Sequence, residues 1–278
     1  MRGAAKPSRT RRLPRIYDVR ILVTFALENE FAPWRSLRKF RRAKWDAADV
    51  FRAEIGGANV NVLLTGVGSR QAALAMSKIS WGEPDTVEFC VSAGLAGALR
   101  PQYQIGQILV ARTVVAERAP EGSNGRVLEG SAPLVSFAED CGATVAGCFY
   151  SAERVISRAE EKEHLGASAD AVEMESFSVL SRARANGVPG AAIRSISDSA
   201  DEDLPLDMNG VFTDTGVVSI PRVLGQVALR PQAIPGLVKL GHNSKRAAES
   251  LAAFLDRYIR ELSKRANALE SNAIETPN

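Results

Sequence analysis

The chain has 278 residues, of which 45% are hydrophobic and 24% charged, with 22 glycines and 13 prolines. That is the composition of one large globular domain and argues against a disordered, collagenous or membrane-spanning chain; no run approaches ~18 uninterrupted apolar residues, so no transmembrane helix is expected. The net charge of +3 is uneven: residues 1–17 hold six of the 35 basic groups and none of the 32 acidic ones, which leaves 29 against 32 in the body.

The basic stretch has no apolar h-region, so it does not read as a secretory signal; residues 1–18 are expected to form a solvated arm rather than a nucleic-acid contact. Three cysteines (Cys90, Cys141, Cys148) are too few and too irregular for a disulfide framework or a zinc site. Two histidines, His164 and His242, exclude a mechanism that needs several histidine ligands.

After the arm, strands and helices alternate. VRILVTF (19–25) is a short apolar strand, and ALENEFAPWRSLRKF continues as a helix. ADVFRAEI and NVNVLLTG flank Gly56-Gly57 as a hairpin. SRQAALAMSKIS reads as a compact helix; TVEFCVSAG, GQILVARTVVAE and GATVAGCFYSA read as buried strands. AVEMESFSVLSRARANG has helical spacing and should stop at Gly187-Val188-Pro189. GAAIRSIS is another strand, and SKRAAESLAAFLDRYIRELSKRA is a strongly amphipathic helix before a frayed end at 269–278.

This order predicts an α/β fold, a single-domain three-layer α/β/α arrangement over 19–268 with a mostly parallel central mixed sheet. Residues 201–238, with four prolines and weak periodicity, break the rhythm and read as a long excursion, a lid or an oligomer contact.

Several stretches invite chemistry. LLTGVGSRQAALA is strand, glycine turn and helix, but Gln71 stands where a dinucleotide fingerprint has its third glycine. Glu83 and Asp85 sit in a proline loop instead of ending a strand, so nicotinamide binding is not expected. CVSAGLAGAL places Gly94 and Gly97 just past a buried strand, where a turn admits substrate close to backbone, or is only a turn. WRSLRKFRRAKW (34–45) mixes six basic residues with Trp34, Phe40 and Trp45; it reads as a solvated helix face with its aromatics turned inward rather than a nucleic-acid surface.

Three acidic sites remain: Glu28 and Glu30 after the first strand, Glu173 and Glu175 at the start of a helix, and Asp198 after IRSIS. Capping or surface charge accounts for each one singly. Together they stand at the carboxyl ends of predicted strands, which a parallel sheet gathers along one edge. Carboxylates gathered there cost electrostatic free energy, and such an arrangement is usually functional.

The motifs ALENEF (26–31), TGVGSRQAA (65–73), SAGLAGAL (92–99), IGQILVA (105–111), AVEMES (171–176) and RSISDSAD (194–201) resemble, in order and rough spacing, the purine nucleoside phosphorylase/uridine phosphorylase superfamily. Within it the chain is most similar to 5′-methylthioadenosine/S-adenosylhomocysteine nucleosidases, over roughly 19–203 and again in the C-terminal helix. The resemblance implies that Glu30 orients and activates the attacking water. It gives Glu175 the ribose hydroxyls, with Met174 under the sugar and Glu173 nearby. Asp198, held by Ser197, protonates adenine N7; Val155 and Ile156 cradle the purine, and Gly68 and Gly94 belong to the glycine motifs that approach substrate. It also implies a small-molecule nucleoside substrate, no metal or organic cofactor, no nucleic-acid partner and a cytoplasmic homodimer.

That chemistry is coherent. N-glycosidic cleavage builds positive charge on the ribosyl carbon and negative charge on the departing base, so an acid at the base and carboxylates at the sugar both help. An ordinary aspartic acid ionises near ~3.9, so the acid's role asks for burial or neighbouring carboxylates around Asp198.

The turn Ser92–Gly97 has no arginine before it, and Leu95 falls where the family usually has a small polar residue. Both favour a hydrolase over a phosphorylase, although Arg70 after Gly68 is placed to meet a phosphate. The stretch 222–248 is also similar to a hopanoid-biosynthesis branch, named nucleoside phosphorylase, that acts on a lipid-linked adenosine. The alternatives are therefore a phosphorylase of the same fold, or a nucleoside-binding module without turnover.

Overall fold

The computed structural model describes residues 19–82, 86–118, 126–211, 213, 216 and 219–274, with side chains to 266. The basic arm at 1–18 lies outside them, as do Glu83 and Asp85. In chain order the elements are β1 (Arg20–Phe25), α1 (Glu28–Leu37), β2 (Arg41–Trp45), β3 (Ala48–Ile55), β4 (Ala58–Leu64), α2 (Ser69–Met76), β5 (Phe89–Ala98) and β6 (Ile108–Ala116). They continue with β7 (Val127–Glu129), α3 (Ala132–Asp140), β8 (Thr144–Ser151), α4 (Ala159–Gly166), β9 (Ala171–Glu173), α5 (Ser176–Ala185) and β10 (Gly190–Asp198). A 3₁₀ turn at Met208–Gly210, α6 (Ile220–Leu229), a second 3₁₀ turn at Pro231–Ala233 and α7 (Ile234–Ile274) complete the chain.

The strands form one mixed sheet, parallel through β4, β1, β5 and β10. β5 pairs with β10 and also with β9, so β5, β10, β6, β8 and β9 close on themselves as a small barrel. These central strands read as near-continuous apolar runs because helices cover both faces. Phe31 and Trp34 of α1, Leu134 and Phe137 of α3 and Leu251, Leu255, Tyr258 and Ile259 of α7 pack on one face. Ala72 and Met76 of α2 and Val179 and Ala183 of α5 pack on the other. The spacing of the α7 residues is that of a helix with one apolar stripe.

The β3–β4 hairpin turns on Gly56 and Gly57, both at positive φ (62° and 90°), as a type I′ turn requires. A Cβ on Gly56 would stand 2.9 Å from Arg260 Cγ, so α7 packs directly onto the turn.

Four expectations are corrected. The basic-aromatic stretch is helical only to Leu37; Arg41–Trp45 forms the edge strand β2, although Trp34 and Trp45 are buried as expected. Pairing of Arg41–Trp45 with Ala48–Arg52 satisfies a backbone that a longer helix would have drawn away. The segment 171–187 opens as β9, bonded to β5 and β8, and becomes helical only at Ser176. Gly94 and Gly97 lie inside β5, not beyond it, because pairing with β10 runs on to Asp198 opposite Gly97. The excursion is largely helical, and α7 extends from Ile234, well before the predicted amphipathic stretch, to Ile274, past the 268 boundary. No helix among the described residues is long and apolar enough to cross a membrane.

Candidate active site

The carboxyl ends of β1, β5, β9 and β10 open onto a cavity of about 210 Å³. Glu30, Val155, Ile156, Glu173, Met174, Glu175, Ser197 and Asp198 all line it. Residues 30, 173, 175 and 198 are far apart in the chain, and the sheet alone brings them together. Gly68 and Gly94 are not on its wall; Gly68 faces an adjoining cleft with Arg70.

Glu30 stands in the first turn of α1 and is buried. Its Oε2 accepts from Ala26 N and Leu27 N (both 3.1 Å) and its Oε1 from Leu95 N (3.2 Å). Burial raises its pKa above the ordinary 4.5, against the lowering effects of these amides and of Arg194. Gly94 lies beside Glu30, where a Cβ would stand 3.5 Å from both carboxylate oxygens, an ordinary contact.

Glu175 precedes α5, and its Oε1 accepts from Gly68 N at 2.8 Å. The positive φ of Gly68, 98°, aims that amide at the carboxylate, so the glycine turn holds an acid of the protein itself. Burial first, and then the neighbouring Glu173 charge, push Glu175 up to about 8; Arg194 opposes them.

Glu173 is tied more tightly. Its Oε2 accepts from Glu175 N (3.0 Å), Ser176 N (2.7 Å) and the Arg194 guanidinium (2.6 Å). Glu173 Oε1 is buried and has no protein partner.

Asp198 ends β10 after a bulge that interrupts the β5 register between Ile196 and Asp198. Such a bulge re-aims the side chain at a strand end. Ser197 Oγ donates to Asp198 Oδ1 (2.9 Å), with Ala96 O the other acceptor in reach (3.2 Å). The charged neighbour of Asp198 Oδ2 is the Lys162 ammonium at 2.6 Å rather than the carboxylate that sequence reasoning looked for.

Sequence reasoning missed several residues. Arg194 is fully buried and donates to Ser92 O and Ile193 O as well as to Glu173; it lies 3.7 Å from Glu175. Its signal was available, as the one charge inside the apolar strand GAAIRSIS. Lys162 gave none, sitting in the charge-rich AEEKEH. Met208 and, from the start of α7, Leu240 and Ser244 also line the cavity. Asn209 bonds both backbone groups of Val155 (2.7 and 3.0 Å), fixing the segment 155–156 to the excursion.

The arrangement offers one cavity ringed by four carboxyl groups. The cations that approach them are already engaged: Arg194 with Glu173, Lys162 with Asp198 and, on the cavity wall itself, Arg154 with Glu161. Such a wall favours a ligand with hydroxyls and developing positive charge over an anion.

The curated 5′-methylthioadenosine/S-adenosylhomocysteine nucleosidase of Actinobacillus succinogenes is 26% identical over 205 residues, 66% of this chain and 87% of that protein. Among solved structures, the 5′-methylthioadenosine/S-adenosylhomocysteine nucleosidase of Helicobacter pylori with butyl-thio-DADMe-Immucillin-A superposes with a TM-score of 0.68 at 21% identity, over 88% of this chain and 99% of that one. A futalosine hydrolase mutant of Helicobacter pylori strain 26695 gives 0.67 at 20% identity, over 87% and 99%. The family model described as Phosphorylase superfamily matches residues 20–225, and the chain belongs to that family.

Proposed function

We propose that the protein is an N-glycosyl hydrolase that releases adenine from a 5′-substituted adenosine, of the methylthioadenosine/adenosylhomocysteine type. The observation that carries this reading is the ring of Glu30, Glu173, Glu175 and Asp198 around one cavity in which the buried arginine is neutralised. Phosphorolysis needs a cationic pocket for phosphate, and here the arginine on the cavity wall, Arg154, is already paired with Glu161. The related nucleosidases point the same way.

In this reading Glu175 takes the ribose hydroxyls, and Met174 packs beneath the sugar. Val155 and Ile156 bound the purine. The C1′–N9 bond breaks with its electron pair passing into the base, which receives a proton at N7 from Asp198. Water, oriented by Glu30, adds its oxygen to C1′ and gives its proton to the Glu30 carboxylate. The carboxylates near the sugar stabilise the oxocarbenium-like transition state. Met208 of the excursion and Leu240 of α7 supply apolar wall, suited to an apolar 5′ substituent. The resemblance to the nucleosidases implies a homodimer.

Adenine release from methylthioadenosine and S-adenosylhomocysteine, measured with and without phosphate, tests the proposal. Free 5-substituted ribose, formed without phosphate, is expected, with D198N lowering turnover by about 10²–10⁴-fold. A ribose 1-phosphate formed only with phosphate identifies the phosphorylase instead, and tight nucleoside binding without release identifies a binding module.

A further inference from the structure

We propose that Lys162 is a positioning residue for this reaction: its buried ammonium fixes the Asp198 carboxyl group in the orientation from which it meets the leaving base. The inference rests on the assignment of Asp198 as the acid. The Lys162 side chain is fully buried, although it belongs to the charge-rich helix α4. Its ammonium has three donors, and three acceptors surround it: Asp198 Oδ2 (2.6 Å), Ser199 O (2.8 Å) and Glu202 O (3.3 Å). Asp198 is the acidic side chain within reach of the ion; in its carboxylate form it compensates the ammonium, and a buried ammonium without such a partner is strongly disfavoured.

The clamp is closed from other sides as well. Ser197 holds the second carboxyl oxygen, and the missing side chain of Gly97 leaves room for Oδ2, which a Cβ there would approach to 2.8 Å. The loop that supplies the two carbonyls is anchored in turn, since Glu202 pairs with Lys239 of α7. When the base departs, its N7 gains the proton and Asp198 is left as a carboxylate. The adjacent ammonium stabilises that product of the transfer, which gives the cation a role in the step and not only in the fold.

A double-mutant cycle on adenine release tests this, with K162M, D198N and K162M/D198N compared with the wild type. K162M is expected to lower kcat about 100-fold with KM within about twofold, and to cost less than about twofold more in the D198N background, as non-additivity through a shared partner requires. K162Q, which keeps a neutral N–H donor to the two carbonyls, carries the same test if K162M does not fold. Wild-type-like kcat in either folded variant, or losses that add in the double variant, overturn the proposal. Wild-type protein that releases no adenine overturns the functional reading beneath it, an outcome visible before any variant is compared.

Discussion

Glu175 makes stability depend on pH in a direction opposite to that of most carboxylates. Burial and the Glu173 charge raise it from 4.5 to about 8, so between those values the folded protein holds a proton that the unfolded chain releases. The stabilisation is complete below about pH 4.5 and is lost as pH rises through 8. At 1.36 kcal/mol per pH unit this amounts to as much as about 5 kcal/mol. The substitution E175Q keeps an acceptor for Gly68 N and removes the ionisation. Urea unfolding, followed by the fluorescence of the buried Trp34, Trp45 and Trp81, would be run at pH 5 and pH 8 on both proteins. E175Q should match the wild type within about 1 kcal/mol at pH 5 and exceed it by about 3–5 kcal/mol at pH 8, while losing turnover. Glu30 is raised in the same direction and its charge is among those that raise Glu175, so the difference reports Glu175 together with its coupling to Glu30 and Glu173. Parallel curves for the two proteins, or a less stable E175Q at pH 8, would refute the reasoning.

Two further outcomes are expected. G97A places a Cβ 2.8 Å from Asp198 Oδ2 and 3.2 Å from Val172 Cγ1, whereas at Gly94 the nearest atoms are at an ordinary 3.5 Å; steady-state assays should show about a 100-fold loss of kcat in G97A and little change in G94A. R194M strands the Glu173 carboxylate in the core and should cost about 3–5 kcal/mol in urea unfolding, part of which E173Q/R194M recovers.

The sheet was legible wherever a strand was either wholly apolar or bounded by glycines, as in VRILVTF and the Gly56-Gly57 hairpin. It was illegible at β2, where Arg41, Arg42 and Lys44 face solvent on an edge and carry no apolar alternation, and at β9, whose three residues merge with the helical spacing after it. The carboxylates of the cavity were legible because acids at strand ends defy burial preference. Lys162 was not, because a lysine among glutamates on a short helix reads as a solvated face; only the packing of α4 against the end of β10 reveals its partner. The wall contributed by Leu240 and Ser244 was hidden for a related reason. The start of α7 lies between Pro231 and Pro235, which read as breaks, yet Pro235 occupies the first turn of the helix, where proline is tolerated.

The closed ring of β5, β10, β6, β8 and β9 carries a consequence for how the protein acquires its chemistry. Leu95 meets Glu30 across 65 residues, Ser92 meets Arg194 across 102, and Gly68 meets Glu175 across 107. No hairpin or helix pair contains even half of such a constellation, so nothing resembling the cavity exists until the distant segments have joined, a slow event in chains dominated by non-local pairing. During synthesis the chain must reach Asp198 before the ring of acids can be complete, and until Arg194 emerges Glu173 lacks the cation that offsets it.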